Sequence, residues 1–171
     1  GAEALLSLLD AGLRPFCGIW IVSFSNVAAF ATFDPAAPDA SRCLDTDMNR
    51  VWMEERLSGD GVQRELVRAR ALRPFVEEAD FLLDLHSMHE ECEPLLLSAM
   101  TDKAFEFAKR VGFPRAIIRD AGHADGKRII DFGQFSDVAD PAVDLLVEAG
   151  QHWSRYGIET AEHTLYRFLL A

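Results

Sequence analysis

The sequence predicts an α/β domain built around a layered sheet. Short apolar, β-rich runs alternate with segments of helical periodicity, the pattern of strands joined through helices. The runs are apolar throughout, as in strands covered on both faces. A chain of 171 residues, 49% of them hydrophobic, can bury one sizeable core, so a single domain over 1–171 is expected.

The elements follow in order. Ala2, Leu5, Leu6, Leu8 and Leu9 read as a helix that Gly12 would end. The chain opens on this helix without an initiator Met or lead-in, and a preceding segment in the natural protein is expected. Gly18 to Phe24, between Pro15 and Asn26, reads as a buried strand. Asp34 to Asp47, with Pro35 and Pro38, reads as a surface loop. Helical spacing returns at Val62, Leu66, Ala69, Leu72 and Val76, with Pro74 near the end, and Ala79 to His86 is a second buried strand. Thr101 to Val111 is an amphipathic helix with an N-cap Thr and a stop at Gly112, and Pro114 to Arg119 is the strand after it. Val143 to Ala149 is a late strand, and Ile158 to Leu170 a terminal helix with Ala161, Leu165, Phe168 and Leu169 on one face.

Composition narrows the function classes. Against 28 Asp+Glu there are 17 Lys+Arg, and the formal charge of -11 repels phosphate backbones and anionic headgroups. Neither nucleic acid nor a membrane surface is an expected partner. Cys17, Cys43 and Cys92 form no C-x-x-C pair, which suggests neither a disulfide framework nor a cysteine zinc knuckle and fits a reducing, cytoplasmic setting. No apolar run reaches the roughly 18 residues of a span, and no signal peptide opens the chain. Walker-type and dinucleotide glycine motifs are absent.

Three features could carry chemistry. Asp84-Leu85-His86-Ser87 places a His at the end of an apolar strand with a carboxylate two residues earlier on the same face; it reads as a metal ligand with its orienting partner, or as a core His with a backbone partner. Arg42, Asp45, Asp47, Asn49 and Arg50 form a dense polar cluster, able to grip a carboxylate or to pair within itself. Glu148 follows Leu145-Leu146-Val147 at a strand end, where burial would raise its pKa and suit a general base; the other reading is a structural Glu bonded to loop amides.

Weaker candidates are His89 and Glu90 beside His86, read as surface loop over a compact ligand set, and His123 and Arg128 around Gly122 and Gly126, read as an ordinary turn over a flexible substrate-contacting segment. His152 and His163 read as surface residues, and Cys92 as a nucleophile candidate lacking an orienting third group.

In their order, Arg42-x-x-Asp45-x-Asp47-Met48-Asn49-Arg50, Asp84-Leu85-His86-Ser87 and Glu148-x-Gly150 resemble the succinylglutamate desuccinylase/aspartoacylase family of zinc-carboxypeptidase-like hydrolases. The resemblance runs from the opening helix through Glu148-Ala-Gly-Gln-His-Trp153. It implies a three-layer α/β/α sandwich with a mixed sheet. It also implies His86 as the third Zn2+ ligand, Glu148 as the base that activates bound water, Arg42 as the group polarising the scissile carbonyl, and Asn49 and Arg50 as the clamp on a substrate carboxylate. The family carries an upstream His-Gly-x-Glu segment with the first two ligands, and a smaller β-rich domain after the core; neither is in this sequence. The expectation is a zinc deacylase acting on a small anionic N-acyl compound, with homo-oligomerisation left open. The rivals are a zinc carboxypeptidase acting on peptides and a noncatalytic, metal-free binding domain.

Overall fold

Four strands, β1 (Phe81–Met88), β2 (Leu95–Ser98), β3 (Ala116–Arg119) and β4 (Val143–Gln151), hydrogen-bond in the order β1-β4-β2-β3. β1 and β4 run parallel, β4 and β2 antiparallel, and β2 and β3 parallel, so the sheet is mixed. The helices are α1 (Ala2–Asp10), α2 (Val27–Phe30), α3 (Glu54–Leu57), α4 (Arg64–Glu77), α5 (Asp102–Val111) and α6 (Arg155–Leu170). The computed structural model describes residues 1–34, 36–152 and 154–171. Pro35 of the expected loop and Trp153 at the end of the third motif lie outside the described residues.

Alternation along β1 and β4 divides the molecule into layers, because successive side chains leave a strand on opposite faces. Leu83, Leu85, Val143, Leu145 and Val147 join Ala4 of α1, Phe107 and Val111 of α5 and Ala161 of α6 in one apolar cluster. On the other face Leu82 meets a second cluster of Trp52, Phe132 and Phe135 with Leu66, Ala69, Leu72 and Val76 of α4. Helices therefore cover both faces, as the sequence predicts.

Several local signals act as expected. Thr101 Oγ1 accepts the Ala104 amide at 3.4 Å to start α5, and Gly112 ends it at φ +64°, a conformation costly for residues with a Cβ. One expectation needs correction. Gly18–Phe24 forms no strand: Ile19 is 88% and Ile21 53% exposed, and the end of the run is tied to α4 by Arg68, whose Nη2 donates to the Phe24 carbonyl at 2.7 Å. An apolar run signals a tendency to be buried, but a strand also needs a lateral partner, and β1 pairs with β4 alone among the described residues. Conversely, β2 has no forecast in the sequence, because a four-residue Leu-Leu-Leu-Ser run is too short to show a period.

Candidate active site

Parallel pairing places His86 directly beside Glu148, and both lie on the face away from the Leu145 cluster. Asp84, two residues before His86 on the same face, has Oδ2 2.8 Å from His86 Nε2. That contact leaves Nδ1 as the nitrogen open to a ligand. Burial works against the imidazolium, but the Asp84 and Glu148 carboxylates outweigh it and His86 is shifted up. Burial is also the largest influence on Glu148, raising its pKa against the charges of His86, Arg128 and Arg42. Glu148 Oε2 is buried and has no hydrogen-bond partner among the described residues. The structural alternative of loop amides holding both oxygens therefore does not apply to Oε2.

Just past this pair the register slips, and Gly150 takes φ +108°. The irregularity is closed by the His152 amide donating to the Met88 carbonyl at 2.8 Å and by a 2.7 Å contact between Ser87 Oγ and His152 Nδ1. His152, expected as a surface residue, is instead half-buried and joins the two strand ends.

The Arg42–Arg50 segment reaches this face because of a residue that the sequence reading passed over. Glu65, in the first turn of α4 and fully buried, accepts the amides of Leu44, Asp45 and Thr46 at 2.6, 3.1 and 3.2 Å and Asn26 Nδ2 at 3.2 Å. Asp45 adds a two-pronged pair with Arg64, at 3.0 and 2.7 Å. Asp47 Oδ1 caps the Asn49 amide at 2.8 Å, and its Oδ2 takes Arg42 Nη2 at 3.0 Å. Arg42 is 69% exposed, and its charge is felt at Glu148. Arg50, 17% exposed, donates from Nη1 to the Asn49 carbonyl at 2.8 Å and from Nε to Asp125 at 3.0 Å. The cluster thus does pair within itself, and it does so on the side where Glu148 senses it.

The turn expected around Gly122 and Gly126 forms, and Arg128 at its end is buried. It is 2% exposed, donating to Asp120 at 2.6 Å and to both oxygens of Asp131 at 2.8 and 3.0 Å. The stretch between Asp120 and Arg128 is therefore a turn held at its base by a buried guanidinium. The available signal was the spacing of acidic residues eight before and three after Arg128. His89 and Glu90 are exposed, His163 is exposed and stacks on Phe113 at 4.2 Å, and His123 bridges Gly126 within the turn. Burial and the charges of Glu148 and Glu93 raise the Cys92 thiol, which disfavours a thiolate nucleophile.

Among the described residues, no group of three or more His, Cys, Asp or Glu could hold a metal ion. His86 fits as one ligand through Nδ1, and the donor set these residues supply stops there. A groove of about 580 Å3 lined by Trp52, Glu54, Glu55 and Lys127 includes neither His86 nor Glu148, so the chemistry-bearing groups lie outside it.

These features define a mixed-sheet α/β core whose potential acid–base groups gather at the ends of two parallel strands. No protein-family profile matches the sequence, and neither does any curated protein sequence. Solved structures do share the fold. Murine aminoacylase 3 is similar over 99% of this chain and 59% of its own, with TM-score 0.64 and 18% identity. A putative succinylglutamate desuccinylase/aspartoacylase from Shewanella frigidimarina NCIMB 400 is similar over 79% of this chain and 46% of its own, with TM-score 0.53 and 16% identity. Succinylglutamate desuccinylase from Vibrio parahaemolyticus gives TM-score 0.50 and 16% identity, over 80% of this chain and 45% of its own. The chain thus spans less than two thirds of each of these structures. Its fold is that of the aminoacylase and succinylglutamate desuccinylase/aspartoacylase structures, the fold toward which the three sequence motifs point.

Proposed function

We propose that residues 1–171 form the catalytic core of a zinc-dependent deacylase that hydrolyses the amide bond of a small N-acyl amino acid or a similar anionic acyl compound. The observation that carries this reading is Glu148, a carboxylate of raised pKa with a buried, unpartnered oxygen beside His86. The fold shared with aminoacylase and desuccinylase/aspartoacylase structures supports amide hydrolysis as the reaction class.

In this reading each residue has one task. His86 provides one imidazole ligand, oriented by Asp84; the remaining two of a three-ligand catalytic zinc site come from outside the described residues. Zinc, when bound, lowers the pKa of water and polarises a carbonyl. Glu148 accepts the water proton at Oε2 and returns it to the leaving amine. Arg42, exposed and electrically coupled to Glu148, faces the oxygen on which negative charge develops. Asn49 and Arg50 meet the substrate carboxylate. The three cysteines are unpaired, which supports a reducing cytoplasmic setting, and no helix among the described residues is long and apolar enough to cross a membrane.

The incomplete donor set favours one rival, a metal-free binding domain that keeps the clamp without catalysis. The test is to supply zinc to the protein that contains this chain and measure hydrolysis of N-acyl amino acids and of peptides. Faster cleavage of N-acyl amino acids, with Glu148→Gln lowering kcat by at least ~10²-fold while zinc and substrate stay bound, is the expected result. Preference for peptides would make it a carboxypeptidase; binding without turnover would make it a binding domain.

A further inference from the structure

The turn between Asp120 and Arg128 packs against the Arg50 segment. Its base is closed by Arg128 bridging Asp120 and Asp131, and its tip by pairing of His123 with Gly126. Its outgoing limb docks on the Arg50–Trp52 segment: Lys127 bridges Val51, and the Trp52 amide donates to the Lys127 carbonyl at 3.2 Å. Gly126, at φ +155°, lies so close to Arg50 that an added Cβ would stand 2.3 Å from the Arg50 carbonyl oxygen. No side chain fits there. The consequence is that Asp125, the residue at the tip, is delivered to the Arg50 guanidinium in a fixed position.

The hydrogen bonds of Arg50 then limit what else it can hold. A carboxylate gripped with both oxygens uses two neighbouring nitrogens, either Nε with Nη2 or Nη1 with Nη2. Asp125 occupies the single N–H of Nε and so closes the Nε–Nη2 edge, while the Asn49 carbonyl takes one of the two N–H groups of Nη1 and Asp47 Oδ2 stands 3.9 Å from that same nitrogen. The Asn49 carbonyl belongs to the adjoining main chain and stays. Asp125 is 76% exposed and tethered only through its turn.

On the assignment of Arg50 to a substrate carboxylate, we propose that Asp125 is a specificity-determining residue: it occupies Arg50 as an internal anion that a substrate carboxylate displaces to gain the two-pronged grip. The arrangement is a competition between an intramolecular carboxylate and a dissolved one. The fixed turn gives Asp125 a high effective concentration at Arg50. The exposure of Asp125 keeps the strength of the pair near that of a surface ion pair, so it can be displaced. Its effect is to raise the concentration of carboxylate ligand needed, and to leave ligands without a carboxylate untouched. Because Asp125 is charged and exposed, added salt weakens its hold on Arg50 and with it the competition.

The test uses the zinc-loaded, full-length protein with an N-acyl amino acid and its carboxamide analogue. Asp125→Asn keeps a turn-forming residue of the same size and removes the charge. It is expected to lower KM for the carboxylate substrate roughly two- to fivefold, the range of an exposed ion pair, with kcat unchanged and KM for the carboxamide unchanged. The gain should shrink between low and high salt. Asp125→Ser should move KM in the same direction. A second readout, independent of turnover, is calorimetric titration of the same N-acyl amino acid into Glu148→Gln and Glu148→Gln/Asp125→Asn, where Kd should fall by the same factor. If KM and Kd for the carboxylate ligand stay the same or rise, or if the carboxamide gains equally, the competition does not exist. Arg50→Ala separates that failure from failure of the underlying assignment. A defect confined to the carboxylate substrate keeps Arg50 as the clamp whatever Asp125 does, whereas an equal defect toward both substrates removes the clamp and the competition together.

Discussion

Glu65→Gln isolates the device that holds the arginine segment in place. In the folded protein Oε1 accepts the Leu44 amide and Asn26 Nδ2, and Oε2 accepts the amides of Asp45 and Thr46. A glutamine keeps one oxygen and replaces the other with an NH2 group, which would face amide donors with a donor. At least two bonds to a buried charged acceptor are lost, each contributing about 1.5–3 kcal/mol, so the expected destabilisation is about 3–6 kcal/mol. That is a large part of the roughly 5–15 kcal/mol available to a domain. Urea unfolding at neutral pH measures the loss, and hydrogen exchange at Leu44, Asp45 and Thr46 localises it. The pH dependence has a definite sign. Burial opposes ionisation of Glu65, but the donors around it win and its pKa is lowered. Its contribution is therefore present above the unfolded carboxyl pKa and is lost as pH falls through the folded one. Wild type and Glu65→Gln should converge on acidification. A variant equal to wild type in stability and amide protection at pH 7 would refute the reasoning.

Asp144 should behave in the opposite sense. It is fully buried on β4, neither carboxyl oxygen has a well-formed hydrogen bond among the described residues, and burial first, with Asp131 second, pushes its pKa from 3.8 up to about 7 against the weaker opposing pull of the Ala99 backbone, Lys103 and Arg128. A carboxyl raised in the fold loses stability as pH rises from the unfolded toward the folded pKa, by roughly 1.4 kcal/mol per unit. Asp144→Asn should gain about 3 kcal/mol on wild type between pH 5 and pH 8 in urea titrations; a difference independent of pH would show that Asp144 does not carry this burden. The 171-residue chain alone should bind zinc weakly, since His86 is the one ligand assigned in it and the described residues hold no three-donor cluster. Stoichiometric zinc retained after dialysis would place a complete site within these residues.

Local sequence determined what depends on neighbours along the chain. The helix of Thr101 to Val111 was legible because its N-cap, its apolar stripe and Gly112 all lie within a dozen residues. The strands carrying His86 and Glu148 were legible from their apolar runs, and the order of the motifs around them pointed to the fold. Tertiary structure decided everything that needed a partner distant in sequence. Parallel pairing set His86 beside Glu148, 62 positions later in the numbering of their register. Glu65 captured the amides of Leu44, Asp45 and Thr46, 19 to 21 positions earlier, and Asp125 reached Arg50 across 75 positions. The run from Gly18 to Phe24 shows the same limit from the other side: its composition favours burial, yet hydrogen bonds to a neighbouring strand make a strand, and a single stretch of sequence does not contain its neighbour.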